Sequence, residues 1–203
     1  MSRATGNQRR AEGGDGEPND GGLGVVRSLG AGDESAYIAI RREMLADSPW
    51  AFAASAEDDR GLQAGFLERI AREGTNVIMG EFARSPEGEI NLVGVAGVHT
   101  LSHRKMAHRA HVWGVYVSPK ARGHGVGERV MRGVIDAARR WPGVTSLGLS
   151  ASVKSIAAIR LYERLGFVRW GVEPGAVVLN GEAIDEVHLV KMLDGKASPD
   201  IRS

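Results

Sequence analysis

The chain has 203 residues, 42% of them hydrophobic, with a formal net charge of +1 and no cysteine. One domain with a real core is expected from that length, and the near-neutral charge argues against bulk nucleic-acid binding. The missing cysteine excludes disulfides, cysteine-ligated zinc and acyl-cysteine chemistry. No apolar run approaches the roughly 18 residues of a membrane span, and no signal-peptide-like segment is visible, so a cytoplasmic chain without membrane contact is expected.

Residues 1–22 carry Gly, Asp, Asn, Glu and Arg with almost nothing apolar, and are expected to stay disordered because they cannot offset their ordering entropy. Residues 194–203 read as a second, shorter loose end, which leaves 23–193 as the domain. Gly24 to Leu29 reads as a short strand. Asp33 or Ser35 caps a helix running to about Leu45, with Tyr37, Ile40, Arg41, Met44 and Leu45 at helical spacing. Asp47-Ser48-Pro49-Trp50-Ala51-Phe52 breaks it. A second helix covers Leu62 to Arg72. Asn76 to Arg84 and Ile90 to Thr100 read as strands joined through Pro86-Glu87-Gly88.

The most informative stretch follows. An apolar strand, His111 to Val117, stops at Ser118-Pro119. The turn Arg122-Gly123-His124-Gly125-Val126-Gly127 comes next, then an amphipathic helix from Val126 to Arg140 with Val130, Val134, Ala137 and Ala138 inward. Strand, glycine turn and helix N-terminus together aim backbone N–H groups at one anion. Leu101 to Trp141 also holds nine Lys and Arg against two acidic residues, which suits a phosphorylated ligand. Thr145 to Ala151 is the next strand, Ser155 to Leu165 the next helix, and Phe167 to Glu173 and Glu186 to Leu193 close the sheet around Leu179-Asn180-Gly181. The alternation predicts an α/β fold with one mixed, twisted sheet and helices on both faces.

Two familiar phosphate loops fail. No lysine follows any of the loop glycines, so a Walker-type loop is absent. A dinucleotide loop needs glycine at the sixth position from Gly123, where Glu128 stands, and an acidic residue about 20 residues on; Ala137 to Tyr162 contains none. R-x-x-G-x-G is met by Arg122, Gly125 and Gly127. Residues 155–167, SIAAIRLYERLGF, fit N-x-x-A-x-x-L-Y-E-x-x-G-F at Ala158, Leu161, Tyr162, Glu163, Gly166 and Phe167. With both motifs in order, the chain resembles the GCN5-related N-acetyltransferase (GNAT) superfamily from about Val25 to Leu193. Ser155 departs from the family's usual Asn.

The resemblance implies about seven strands, with the two central parallel neighbours splayed to admit the pantetheine arm of acetyl-CoA. It implies a cofactor-binding set of Val115, Tyr116 and Val117 on the strand, Arg122, Gly123, His124, Gly125, Val126 and Gly127 in the loop, and Ser155 and Tyr162 from the later helix. The implied reaction is direct transfer of an acetyl group from acetyl-CoA to a small-molecule or peptide amine, in a chain expected to bind no nucleic acid. Many relatives form a homodimer, but no self-complementary surface is readable in this sequence, so the homodimer stays open. A non-catalytic acyl-CoA-binding module is the competing reading. Amide formation from a thioester needs a neutral amine, a polarised carbonyl and a proton for the departing thiolate. The resemblance puts Tyr162 beside the sulfur as proton donor; otherwise it anchors its helix. It gives the backbone N–H of Val115 the carbonyl.

The general base is open. His111 stands where many relatives have glutamate, and an imidazole works near neutral pH. Glu81 and ordered water are the alternatives. Five of the six histidines fall between His99 and His124, but His108 and His111 on a strand point to opposite faces, which argues against a metal site. Residues 41–55, RREMLADSPWAFAAS, resemble a string seen in some bacterial members of the superfamily, so Trp50 and Phe52 either line the acceptor pocket or pack in the core.

Overall fold

The hairpin read from residues 76–100 is the centre of one half of a seven-stranded sheet. β2 (Asn76–Arg84) and β3 (Ile90–Thr100) have the expected limits. The computed structural model describes residues 24–193, so the expectations for 1–22 and 194–203 lie outside the described residues. β1 (Val25–Ser28) covers one edge of the hairpin and β4 (Arg109–Val117) the other. β5 (Ser146–Ser152), β7 (Glu182–Met192) and β6 (Val168–Leu179) complete the order β1-β2-β3-β4-β5-β7-β6. Every pairing is antiparallel except β4 with β5.

Each face of the sheet carries its own core. α3 (Val126–Arg139) and α4 (Ile156–Arg164) cover one face. The predicted inward residues Val130, Val134 and Ala138 are buried there, against Val98, Val112, Leu147 and Leu189, and Ala137 is buried outside that cluster. α1 (Glu34–Asp47) and α2 (Phe66–Arg72) cover the other face over β2–β4. There Tyr37, Ile40, Met44 and Leu45 meet Ile78, Val95 and Tyr116. These two apolar faces are what hold the helices to the sheet.

Several boundaries differ from expectation for local reasons. α2 begins at Phe66 rather than Leu62 because Gly65 takes a left-handed φ of 74°, and residues 60–62 form a separate tight turn capped by Asp59. Asp33 sits at the N-cap of α1, yet its carboxylate accepts from the Gly30 amide (2.9 Å) and pairs with Arg27 instead of a helix amide. β6 runs six residues past Glu173 because the edge strand absorbs Pro174 in a bulge, where Gly175 donates to Asp185 (2.8 Å). β7 therefore starts at Glu182. Asn180 and Gly181 both have positive φ, the signature of a tight hairpin turn.

Two features of β4 position the site. Its pairing with β5 covers only Arg109–Ser146, Ala110–Leu147 and His111–Gly148, after which the strands part. β5 meanwhile stays paired to β7 over its whole length. On its other side β4 bulges against β3 between Trp113 and Tyr116, with Gly114 at φ 59°. The extra residue flips the side-chain alternation. Ala110 and Val112 face α3 and α4, whereas Tyr116 packs under α1.

Candidate active site

The glycine turn after β4 presents unpaired donors. Gly123 and Gly125 hold φ of 83° and 75°, and a Cβ at Gly125 would lie 2.9 Å from Arg129 Nη1, so this path needs glycine. Among the described residues, the main-chain amides from Gly123 to Glu128 have no hydrogen-bond acceptor in the protein. They converge at the N-terminus of α3, where the helix dipole adds to them. Such a cradle fits a pyrophosphate.

The arginines around it do less for a ligand than their number suggests. Arg122 donates from Nε to the Val117 carbonyl (3.0 Å) and pairs with Asp47 of α1, holding that carboxyl below its usual range. Arg132 pairs with Glu128 (2.7 Å) and Arg139 with Asp136 (3.0 Å). Arg129 grips buried Glu81 through two nitrogens (3.0 and 2.7 Å) and donates from the third to the His124 carbonyl (2.9 Å). Four of the nine basic residues thus serve the fold. Glu81 is held in this pair, outside the lining of the cavity that holds Tyr162.

The gap between β4 and β5 opens into a cavity of about 330 Å³. Its walls include Tyr162, Ser155 and Ala158 on the α4 side, Phe52 and Arg41 on the α1 side, and His111, Trp113 and Val115 of β4. The cavity therefore passes through the sheet. The Ser118 amide donates to the Val93 carbonyl on β3 (2.9 Å), so strand alternation turns the polar groups of Val115 and Val117 into the gap. Those strand groups can take an amide-bearing arm. Ser155 is the N-cap of α4 but its side chain caps nothing, which leaves the hydroxyl to the cavity. The side chain of Tyr116 faces away, under α1, with its hydroxyl 3.4 Å from Glu43. A larger hollow of about 1260 Å³ beyond the loop includes His124, Lys120 and Glu81 in its lining, and neither His111 nor Tyr162.

The two predicted chemical residues meet in the smaller cavity under different electrostatics. Burial pushes the Tyr162 phenol well up, so it stays protonated. Burial, then the nearby ring of His99, pushes His111 from 6.5 down to about 4. His111 is thus neutral near pH 7 and a weaker base than its residue type suggests. Stability from its neutral burial is full above pH 6.5 and drains away as pH falls towards 4, because the unfolded chain then binds the proton first. Urea denaturation should show the parent losing about 2 kcal/mol more than His111→Gln between pH 7.5 and 4.5. Parallel losses would refute this assignment.

The sequence profile of the acetyltransferase (GNAT) family matches residues 39–167, spanning the glycine turn, α4 and every lining residue of the cavity except Glu186. The chain belongs to the GNAT family. Solved structures agree on the fold. A GNAT-family acetyltransferase from Streptococcus pneumoniae superposes with TM-score 0.72 at 16% identity, covering 84% of this chain and 99% of its own. Ribosomal-protein-alanine N-acetyltransferase from Brucella melitensis gives 0.70 at 23%, with 83% and 99% covered. A Salmonella typhimurium protein solved with its cofactor acetyl-CoA gives 0.70 at 22%, with 88% and 99% covered. No curated protein matches the sequence.

Some residues of this GNAT site carried no signal in the sequence. Arg41 and Asp59, 18 positions apart, form a buried pair beneath Gly114 (2.5 and 2.9 Å). Glu186 of β7 also lines the cavity, across from Ser152 of β5. Only the alternation of buried Val187 and Leu189 hints at where Glu186 points. Phe52 lines the cavity and also packs on the α1-side core, whereas Trp50 is half-buried and outside the lining.

Proposed function

We propose that this GNAT protein moves an acetyl group from acetyl-CoA to a primary amine by direct transfer while both are bound. One observation carries the reading: the parting of β4 and β5 joins a cradle of unpaired amides to a through-sheet cavity containing Tyr162. The coenzyme supplies a thioester carbonyl. The amides of 123–128 hold its pyrophosphate, and the inward-turned groups of Val115 and the N–H of Val117 pair with its amide-bearing arm, the Val117 carbonyl being taken by Arg122. The Val115 N–H polarises the carbonyl. The Tyr162 hydroxyl donates a hydrogen bond to the sulfur as negative charge grows there. In the net reaction the amine forms its C–N bond, the C–S bond breaks, and the amine gives up one proton as the thiolate gains one. With the phenol's affinity for its proton raised, the proton that ends on sulfur originates on the amine. His111, neutral near pH 7, accepts a hydrogen bond from the amine and orients it.

The test is thiol release from acetyl-CoA across a panel of amines, beside calorimetry with coenzyme A. Binding and amine-dependent thiol release are expected. The low basicity of His111 favours a second reading, a module that binds acyl-CoA without turnover; binding with no release across the panel would select it. Absence of heat with coenzyme A and its acetyl ester would remove both.

A further inference from the structure

The face of the sheet opposite α3 and α4 is finely graded around the cavity. Val187 and Leu189 are buried under α4, so Glu186 and His188 project to the opposite face. His111 and Trp113 of β4 share that face, because Ala110 and Val112 take the other. Between them β5 presents only Gly148, Ser150 and Ser152, small residues that leave room for a substrate. Ser152 lies directly across from Glu186. An acceptor entering here meets the thioester from the side away from Tyr162, with Phe52, Ala53 and Ala54 as its cover.

Charge in this space is one-sided. Arg41 is the one cationic side chain in the lining, and buried Asp59 neutralises it through two nitrogens. Its third nitrogen rests near the Met44 sulfur (3.6 Å). Around the rim, Glu173 pairs with His188 (2.8 Å), Lys154 with Glu182 (2.7 Å), and the Asp185 carboxylate accepts from the Gly175 amide. Glu186 makes no ion pair and no side-chain hydrogen bond among the described residues, although it faces Glu173 directly across the β6–β7 ladder. Glu173 already has His188 as its partner, whereas Glu186 has none, so an ammonium entering the cavity meets an uncommitted carboxylate there, and a carboxylate beside that ammonium would meet repulsion instead.

We infer that Glu186 receives the acceptor's ammonium, which gives up one proton to solvent before the neutral amine attacks, and that the site therefore takes amines with no carboxylate next to the amino group in preference to free α-amino acids. The inference rests on the acyl-transfer reading above. Apolar walls at Phe52 and Trp113 suit an aromatic or aliphatic substituent on the amine. The experiment compares phenylalaninamide with phenylalanine as acceptors, using steady-state thiol release from acetyl-CoA with the full chain. The parent should favour the amide by roughly thirty- to a hundredfold in kcat/KM, as expected for like charges held a few ångströms apart. Glu186→Gln should raise KM for the amide and shrink that preference to a few-fold, and Glu186→Lys should bring phenylalanine level or ahead. Calorimetric affinity for acetyl-CoA should stay unchanged in both variants, which shows the fold and the donor site intact. Equal use of the two acceptors by the parent, or undiminished preference in Glu186→Gln, overturns the assignment of Glu186 while acyl transfer stands. Silence with both acceptors, on protein that binds acetyl-CoA and acetylates other amines of the panel, overturns it as well. Silence across the whole panel defeats the acyl-transfer reading itself.

Discussion

Tyr162→Phe should lower kcat about a hundredfold while shifting acetyl-CoA affinity by less than about threefold, because only a transition-state hydrogen bond is removed. The ring itself belongs to the core, 5% exposed and edge-on to Phe167 at 6.1 Å between centroids, and phenylalanine keeps that packing. The hydroxyl is the only atom lost. Among the described residues no side-chain hydrogen bond involves it and burial alone shifts its titration, so its removal leaves no orphaned group behind. A hydrogen bond given to a thiolate by a buried phenol is stronger than the same bond in water, whereas the uncharged thioester takes little from it. The loss therefore falls on kcat. Because burial keeps the phenol protonated through the neutral range, the parent's rate should show no loss attributable to Tyr162 as pH rises from 6 to 9. Single-turnover kinetics with acetyl-CoA bound beforehand, beside calorimetry, separate the two quantities. An unchanged rate constant would reduce Tyr162 to an anchor of α4.

Local pattern made much of this architecture legible. β-Branched runs bounded by turn residues placed β2 and β3 to the residue, and the strand–glycine–helix order located the loop and the gap beside it. Pairings between distant residues were not legible. Nothing near Glu81 announces Arg129, 48 positions later, and nothing near Arg41 announces Asp59. Counting basic residues around the loop overstated its free charge for the same reason: a sequence shows arginines but not their partners. The bulge at Gly114 was equally silent, since one glycine in a strand signals an irregularity without saying which way the side chains turn afterwards. Glu186 went unread because its strand was expected to begin there, four residues later than it does, with its neighbours across the sheet unknown.

Glu81→Gln should cost about 2–3 kcal/mol of stability and weaken acetyl-CoA binding about tenfold, although Glu81 touches no part of the proposed cavity. Its carboxylate is 1% exposed and takes both oxygens' worth of donors from Arg129. A glutamine can accept only one of those bonds and leaves a partly buried guanidinium without its counter-charge. The figure sits below that of a fully buried pair because Arg129 is 31% exposed and water partly compensates it. The effect on binding runs through the third nitrogen. Arg129 fixes the His124 carbonyl, and with it the plane of the peptide that presents the Gly125 amide to the cradle. A guanidinium that swings towards solvent no longer holds that peptide. The double variant Glu81→Leu with Arg129→Met separates the two effects, since removing both charges restores packing without an unpaired ion. Urea denaturation should show most of the lost stability returning, while calorimetry shows coenzyme affinity still depressed. Recovery of affinity together with stability would mean the cradle is held by α3 alone and that the arginine's bond to the loop carbonyl is idle.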